Sequence, residues 1–390
     1  MRRLFALLVA LMLLPLPATA QEATPTTFPV FPDPSECQAT PRTAAEIDAF
    51  APRQQGTPSP ETDARRLVLK GSTVPASAEE IAGITATARE FAACLSLNDG
   101  GKGLGLYTDN MIAELPITSD AIAYENPPLP DGKLVAVVNI ITPRTFTDGR
   151  VGAIVLLDDP RAPSPVEPQF MVFVEQDGRW LIDDLPEYAA PAEDEALIPA
   201  TEAAANRAAW GLIDPDPADC QIAPRDAAEL AAMEGEPPIG PNAVRPERTP
   251  LPAWPESVPP DPDTVAGIEA TVAELAACAA ADEPLRSASL YTDDLIASPY
   301  FSVITGPRRS GPEAFAVYDI LDFGDGRVGA VVGAQSADFA TPVFPLFVIF
   351  ELVGDRWLIS ELPSPYIADD PVSGGVEMVA EAAPTSTLAS

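Results

Sequence analysis

The residues of this 390-residue chain best suited to proton chemistry are a phenol and a carboxylate two positions apart. They occur twice, as Tyr107 with Asp109 in LYTDN and as Tyr291 with Asp293 in LYTDD. Such a pair could share general acid and base work. The rest of the chain narrows that chemistry, because it contains no histidine. Every mechanism that needs an imidazole is thereby removed, Ser-His-Asp and Cys-His nucleophiles included. The Gly-x-Ser-x-Gly elbow of hydrolases is also missing. The competing role is structural: each aspartate caps the short helix that follows it, and each tyrosine fills the mouth of a core. Trp180 and Trp357 open a final strand and could face a ligand, although a tryptophan there more often buries its ring and finds a partner for its N–H. Arg179 and Arg356 precede them, and Arg150 and Arg327 lie in the preceding hairpin. An exposed arginine paired with Asp148 or Asp325 is the expectation for the latter two. The GKGLGL run at Gly101 follows a helix and lacks the spacing of a phosphate-binding loop.

The positions just named recur at a fixed distance. Cys37 and Cys220 are 183 residues apart, Cys94 and Cys278 184, Tyr107 and Tyr291 184, and both Arg150 to Arg327 and Trp180 to Trp357 177. A steady offset with one deletion of seven residues is the mark of a duplication. The four cysteines fall two to a copy. Three pairings exist on paper, and repeat symmetry selects Cys37 with Cys94 and Cys220 with Cys278. A metal site is not expected, since two cysteines per copy without histidine fall short of the usual zinc ligand set. No residue pattern requires a cofactor.

Arg2 and Arg3 precede an apolar run from Leu4 to Leu16 and then Ala18-Thr19-Ala20, the pattern of a signal peptide cleaved after Ala20. The run is too short for a membrane span, so the mature protein is expected to have none and to be secreted and extracellular. Cleavage leaves 21 basic against 58 acidic residues, a net charge of −37. That field repels phosphate backbones and anionic lipid heads, so nucleic acid and membrane surfaces are poor partners. The acidic runs at Asp214 to Asp219 and Asp261 to Asp263 lack the glycine and distal glutamate of a calcium loop. They sit among prolines and are expected to be solvated linker.

Proline and acidic composition places linkers at 21–36, 52–76, 234–262 and 368–390. The expected organisation is a signal peptide at 1–20, a disordered linker at 21–36, one module at 37–190, a partly helical linker at 191–219, a second module at 220–367 and a disordered tail at 368–390. Each module opens with a short helix, Thr43 to Phe50 or Asp226 to Met233. A long helix follows. In the first module Ser77 and Glu80 form a capping box, and Ile81, Ile84, Ala88, Phe91 and Leu95 lie on one face. In the second, Asp261 caps, Pro262 takes the first helical position, and Val265, Ile268, Val272, Leu275 and Ala279 repeat the stripe. Residues Glu195 to Trp210 also have a helical pattern.

Past each LYTD step the period changes to that of strands. Lys133 to Ile141, Arg150 to Leu156, Gln169 to Glu175 and Trp180 to Asp183 are rich in Val, Ile and Phe and divided by turn residues. Ala314 to Asp322, Arg327 to Ala334, Val343 to Glu351 and Trp357 to Ser360 are their counterparts. Helices followed by an antiparallel sheet make an α+β chain.

An amphipathic helix, a Tyr-Thr-Asp step and four strands ending in Gly-Arg-Trp-Leu-Ile (Asp-Arg-Trp-Leu-Ile in the second copy) resemble the nuclear transport factor 2-like, or SnoaL-like, superfamily. The resemblance covers roughly Ser77 to Tyr188 and Asp261 to Tyr366. It implies two tandem cone-shaped domains, each with helices packed on a curved antiparallel sheet around a pocket. Tyr107, Asp109, Trp180, Tyr291, Asp293 and Trp357 are then the pocket candidates. Relatives use that pocket for catalysis or for binding, and fold alone does not choose. The missing histidines favour a non-catalytic secreted protein that binds a small molecule or a protein, or whose two modules pair within the chain. The alternative is an isomerase or hydratase acting on an apolar small molecule in one pocket.

Overall fold

The computed structural model describes residues 29–50, 65, 68–69, 71–114, 129–130, 132–161, 166–186, 200–233, 260–297, 314–335 and 341–362. The segments expected to be a signal peptide at 1–20 and a tail at 368–390 lie outside them. The chain is α+β, with one five-stranded and one four-stranded antiparallel sheet. Among the described residues, no helix is long and apolar enough to cross a membrane.

In the front half, a single 3-10 turn at Pro34–Glu36 and α1 (Ala44–Asp48) precede β1 (Thr73–Pro75), and α2 (Ala78–Leu97), α3 (Gly100–Leu104) and α4 (Asp109–Glu114) follow. The sheet is completed by β2 (Ala136–Phe146), β3 (Val151–Asp158), β4 (Glu167–Gln176) and β5 (Arg179–Asp184), in the order β1-β2-β3-β4-β5. After α5 (Ala200–Ala209) the back half repeats the sequence of elements: a 3-10 turn at Pro217–Asp219, then α6 (Ala227–Met233), α7 (Pro262–Ala280), α8 (Pro284–Ala288) and α9 (Asp293–Ile296). Its sheet is β6 (Ala314–Asp322), β7 (Arg327–Gln335), β8 (Phe344–Val353) and β9 (Arg356–Glu361), in chain order.

Helix starts are set by side chains that accept from free N–H groups. The Ser77 hydroxyl accepts from Glu80 N–H, and the Glu80 carboxylate accepts from Ser77 N–H at 2.6 Å, which closes the capping box on α2. On α7, Asp261 accepts from Asp263 and Thr264 N–H, and Pro262 follows. The stripes are buried at Ile84, Ala88 and Phe91 and at Ile268 and Val272. Ile81 departs from its expected place and is exposed.

Three segments expected to be linker belong to the sheets instead. β1 lies within 52–76, and Thr73, Val74 and Pro75 pair with Phe146, Thr145 and Arg144 of β2. Edge position explains how a proline is tolerated, since one side of an edge strand donates to nothing. Val30, within 21–36, exchanges hydrogen bonds of 2.9 and 3.0 Å with Val137, and Ile213, within 191–219, exchanges bonds of 2.9 and 3.4 Å with Phe315. Both are single β-branched residues among prolines, too short to show a period.

The central strands are buried on both faces, as the unbroken apolar run of β3 requires. Val151, Ala153, Val155 and Leu157 face α2 with Met171 and Phe173, while Ile154 and Leu156 turn to the other side with Phe170 and Val172. On that other side they share one core with Val331, Phe347 and Ile349 of the second sheet. Val328, Ala330, Val332, Val348 and Phe350 form the core under α7. The described core is therefore layered helix, sheet, sheet, helix. Trp210, fully buried at the end of α5, is inserted between the sheets edge-on to Phe170, with ring centroids 5.3 Å apart. The Tyr318 hydroxyl donates to the Trp210 carbonyl at 2.8 Å.

Cys37 is bonded to Cys94 and Cys220 to Cys278. Each bridge fastens the segment before α1 or α6 to the long helix.

Candidate functional site

The Tyr-Thr-Asp step is fixed by backbone pairing. Thr108 N–H donates to Ile182 O at 2.9 Å and Ile182 N–H to Leu106 O at 2.8 Å, so the step runs parallel to β5 and covers its edge. Thr292, Ile359 and Leu290 repeat the pattern on β9. The Tyr107 ring packs against Phe91, with centroids 5.9 Å apart, and Tyr291 is buried among the side chains under α7. Asp109 and Asp293 are in solvent, with side chains 70% and 71% exposed. Phenol and carboxylate thus occupy different environments, and the pair is not assembled as a proton relay.

Each carboxylate has a dedicated partner. Arg42 Nη1 donates to Asp109 at 2.7 Å and its Nη2 to the Tyr107 carbonyl at 2.6 Å. Arg225 does the same to Asp293 at 2.5 Å and to the Tyr291 carbonyl at 2.6 Å. The expected aspartate cap is replaced by a threonine cap: Thr108 Oγ accepts from Met111 N–H and Thr292 Oγ from Leu295 N–H. The aspartate stands one residue further on, in the first turn, where the helix dipole favours negative charge.

Trp180 and Trp357 lie across the long helices. Their indoles sit on Gly83 and Gly267, where an added Cβ would come within 2.2 and 2.4 Å of the ring. Thr87 Oγ donates to the Trp180 carbonyl at 2.8 Å and Thr271 Oγ to the Trp357 carbonyl at 2.7 Å. Arg179 donates to Glu90 at 2.7 Å, and Glu90 also accepts from Gln38 N–H beside Cys37. Arg356 and Glu274 pair in the same way, with Gln221 and Ile222 N–H as further donors. Sequence reasoning passed over Arg42, Gly83, Thr87 and Glu90 although Arg225, Gly267, Thr271 and Glu274 recur at offsets of 183 or 184. The repeat was the signal that could have found them.

This contact predicts a stability effect. Gly83→Val and Gly267→Val will each cost about 1–3 kcal/mol as the indole is pushed off the helix. Gly103→Ala, where a Cβ meets nothing within 4 Å, will be neutral or mildly stabilising. Urea midpoints of the three variants check the contrast.

The halves differ at one buried charge cluster. Arg150 and Asp183 have side chains 3% and 1% exposed, and Arg150 Nη1 stands 3.4 Å from the Asp183 carboxylate. Arg65 also pairs with Asp183, Thr108 Oγ donates to it at 2.9 Å, and Arg150 Nε donates to Asp148 at 2.7 Å. The expected pairing with Asp148 is present, but the expected exposure of Arg150 is not: the hairpin turns its guanidinium inward, where it meets the buried Asp183 carboxylate. In the back half Ser360 stands where Asp183 would be. Arg327 there pairs with Asp325 and Glu361, and its guanidinium holds the Asp325 carboxyl below the usual range.

A further group lies at the opposite end of β3 and β4. Burial pushes Asp158 up to about 6, Asp159 adds to the rise and Lys133 opposes it. Glu167 is raised for the same reason, against a hydrogen bond from Gln169. Arg161 forks onto Asp159. Among the described residues no three Asp, Glu or Cys side chains converge as a metal would require.

No protein-family model matches the chain, and no curated protein matches it. A solved structure described as an Ntf2 like protein involved in plasmid conjugation matches over 79% of this chain and 98% of its own, at 12% identity and a TM-score of 0.18. A score that low leaves fold and function to be argued from the residues themselves.

Proposed function

We propose that this is an exported, non-catalytic protein built from two tandem nuclear transport factor 2-like, cone-shaped units that pair through their sheets. It binds a small molecule or a protein outside the cell. The observation that carries the reading is the employment of the chemically capable residues: in both halves the aspartate ties a short helix to the segment after the first cysteine, and the tryptophan and the arginine before it tie the last strand to the long helix. The side chains packed between sheet and long helix are mostly apolar, an environment that offers few groups for proton transfer. Two disulfides fit an oxidising compartment. Pairing is supported by the core common to both sheets.

An isomerase or hydratase would need a titrating group facing its substrate, and Asp158 is a carboxyl that burial raises to about 6. The test is incubation of the full chain in D2O with a steroid enone and with an unsaturated acyl ester, followed by mass spectrometry of the recovered compounds. Both are expected back without deuterium or added water. Protein-dependent deuterium uptake that disappears in Asp158→Asn or Tyr107→Phe would replace the binding reading with the enzymatic one. Small-angle scattering checks the pairing: one compact body is expected, and two separate lobes would refute it.

A further inference from the structure

The shared core between the two sheets contains one polar contact of a kind that apolar interfaces avoid. Asn139 Nδ2 on β2 donates to Asp319 Oδ2 on β6 at 3.2 Å. Asp319 is half-buried and, among the described residues, pairs with no arginine or lysine. The shared core in which it stands is apolar. From β2 come the uncharged Asn139 and the apolar Val138 and Ile141. From β7 comes Val331, its register partner. From its own strand come the Ile320 N–H and Tyr318, whose hydroxyl is engaged with Trp210 and whose ionisation burial pushes up. The segment after α5 supplies Trp210 and Leu212. A carboxylate surrounded by apolar groups and one amide has lost water and gained no positive charge.

We propose that acidification strengthens the contact between the two sheets, with Asp319 as the group that takes up the proton. The proposal rests on the paired arrangement argued above. Burial raises Asp319 above the ordinary 3.8, against the opposing hydrogen bond from Asn139. A group raised in the paired state binds its proton more tightly there than when the sheets separate or unfold. Its cost is therefore present above the raised value, is relieved as pH falls through it, and shows no further change below 3.8. Each unit of rise is worth about tenfold in the equilibrium constant. Asp158 and Glu167 shift with the same sign near Lys133, Asp159 and Arg161, but they lie in the front half and give a background that Asp319 variants leave in place.

The experiment compares urea midpoints of the full chain at roughly pH 4.5 and pH 7.5, so that the lower arm lies in the interval just above 3.8 in which a raised carboxyl takes up its proton. Wild type is expected to be more stable at the lower pH. Asp319→Asn keeps an acceptor for Asn139, so it should raise the midpoint at the higher pH and shrink the difference between the two. Asp355→Asn, at an exposed site, removes the same charge and should leave that difference unchanged. Asn139→Leu removes the donor and should enlarge it, which keeps the idea testable if Asp319→Asn does not fold. An Asp319→Asn chain with the wild-type pH difference would overturn the proposal. Scattering that shows two lobes at both pH values would instead overturn the paired arrangement beneath it.

Discussion

Asp183→Asn will destabilise the front half by about 3 kcal/mol, because it removes the negative charge from a cluster in which Arg150 is almost wholly buried. Breaking a buried ion pair from one side typically costs about 3–5 kcal/mol, since the remaining charge is left without solvent or partner. The lower end applies here because Asp148 stays bonded to Arg150. For about 150–250 cooperatively folded residues that loss corresponds to roughly 6–12 °C in melting temperature. Ser360→Ala at the matching place in the back half removes only a hydroxyl that donates to the Ile349 carbonyl at 3.4 Å, and it will cost about 1 kcal/mol or less. The two variants measured side by side by calorimetry separate a charge effect from a merely buried position. Equal losses would mean that the ionic cluster holds nothing together. Arg65→Gln, acting on a more exposed partner, should cost less than Asp183→Asn, and the double variant should fall short of the sum.

Removing either disulfide by paired Cys→Ser changes will cost more, about 4 kcal/mol under the chain-entropy account. The loops have nearly the same length, with separations of 57 and 58 residues, so the two losses should be equal within error. Calorimetry of Cys37→Ser with Cys94→Ser also tests cooperativity. Because Ile154, Phe170, Val331 and Phe347 belong to one core, weakening the front half should move a single transition. Two resolved transitions, with the back half melting at its original temperature, would show that the shared core does not couple the halves.

The repeat made much of the fold legible. A capping box at Ser77, a proline after Asp261, β-branched runs and Asp-Gly turns are local signals, and local hydrogen bonding and side-chain direction act over a few residues. The turn at Asp177 and Gly178 shows this directly, with both residues in the left-handed region that a tight hairpin requires. Symmetry also selected the disulfide pairing, because each copy carries its own two cysteines. The candidate site was less legible. Tyr107 and Asp109 are neighbours in sequence, but only the reach of Arg42 across more than sixty residues shows that the aspartate is occupied elsewhere.

By itself the sequence determined that helices precede an antiparallel sheet, that this order occurs twice, and that imidazole chemistry is excluded. Tertiary structure alone decided that Val30, Ile213 and Thr73–Pro75 join the sheets, that Arg150 turns inward to Asp183, and that Asn139 meets Asp319 across a core made by both halves. The reason is physical: periodicity and caps report free energies settled within one or two turns of chain, whereas desolvated charges and shared apolar faces depend on which distant segments are brought together.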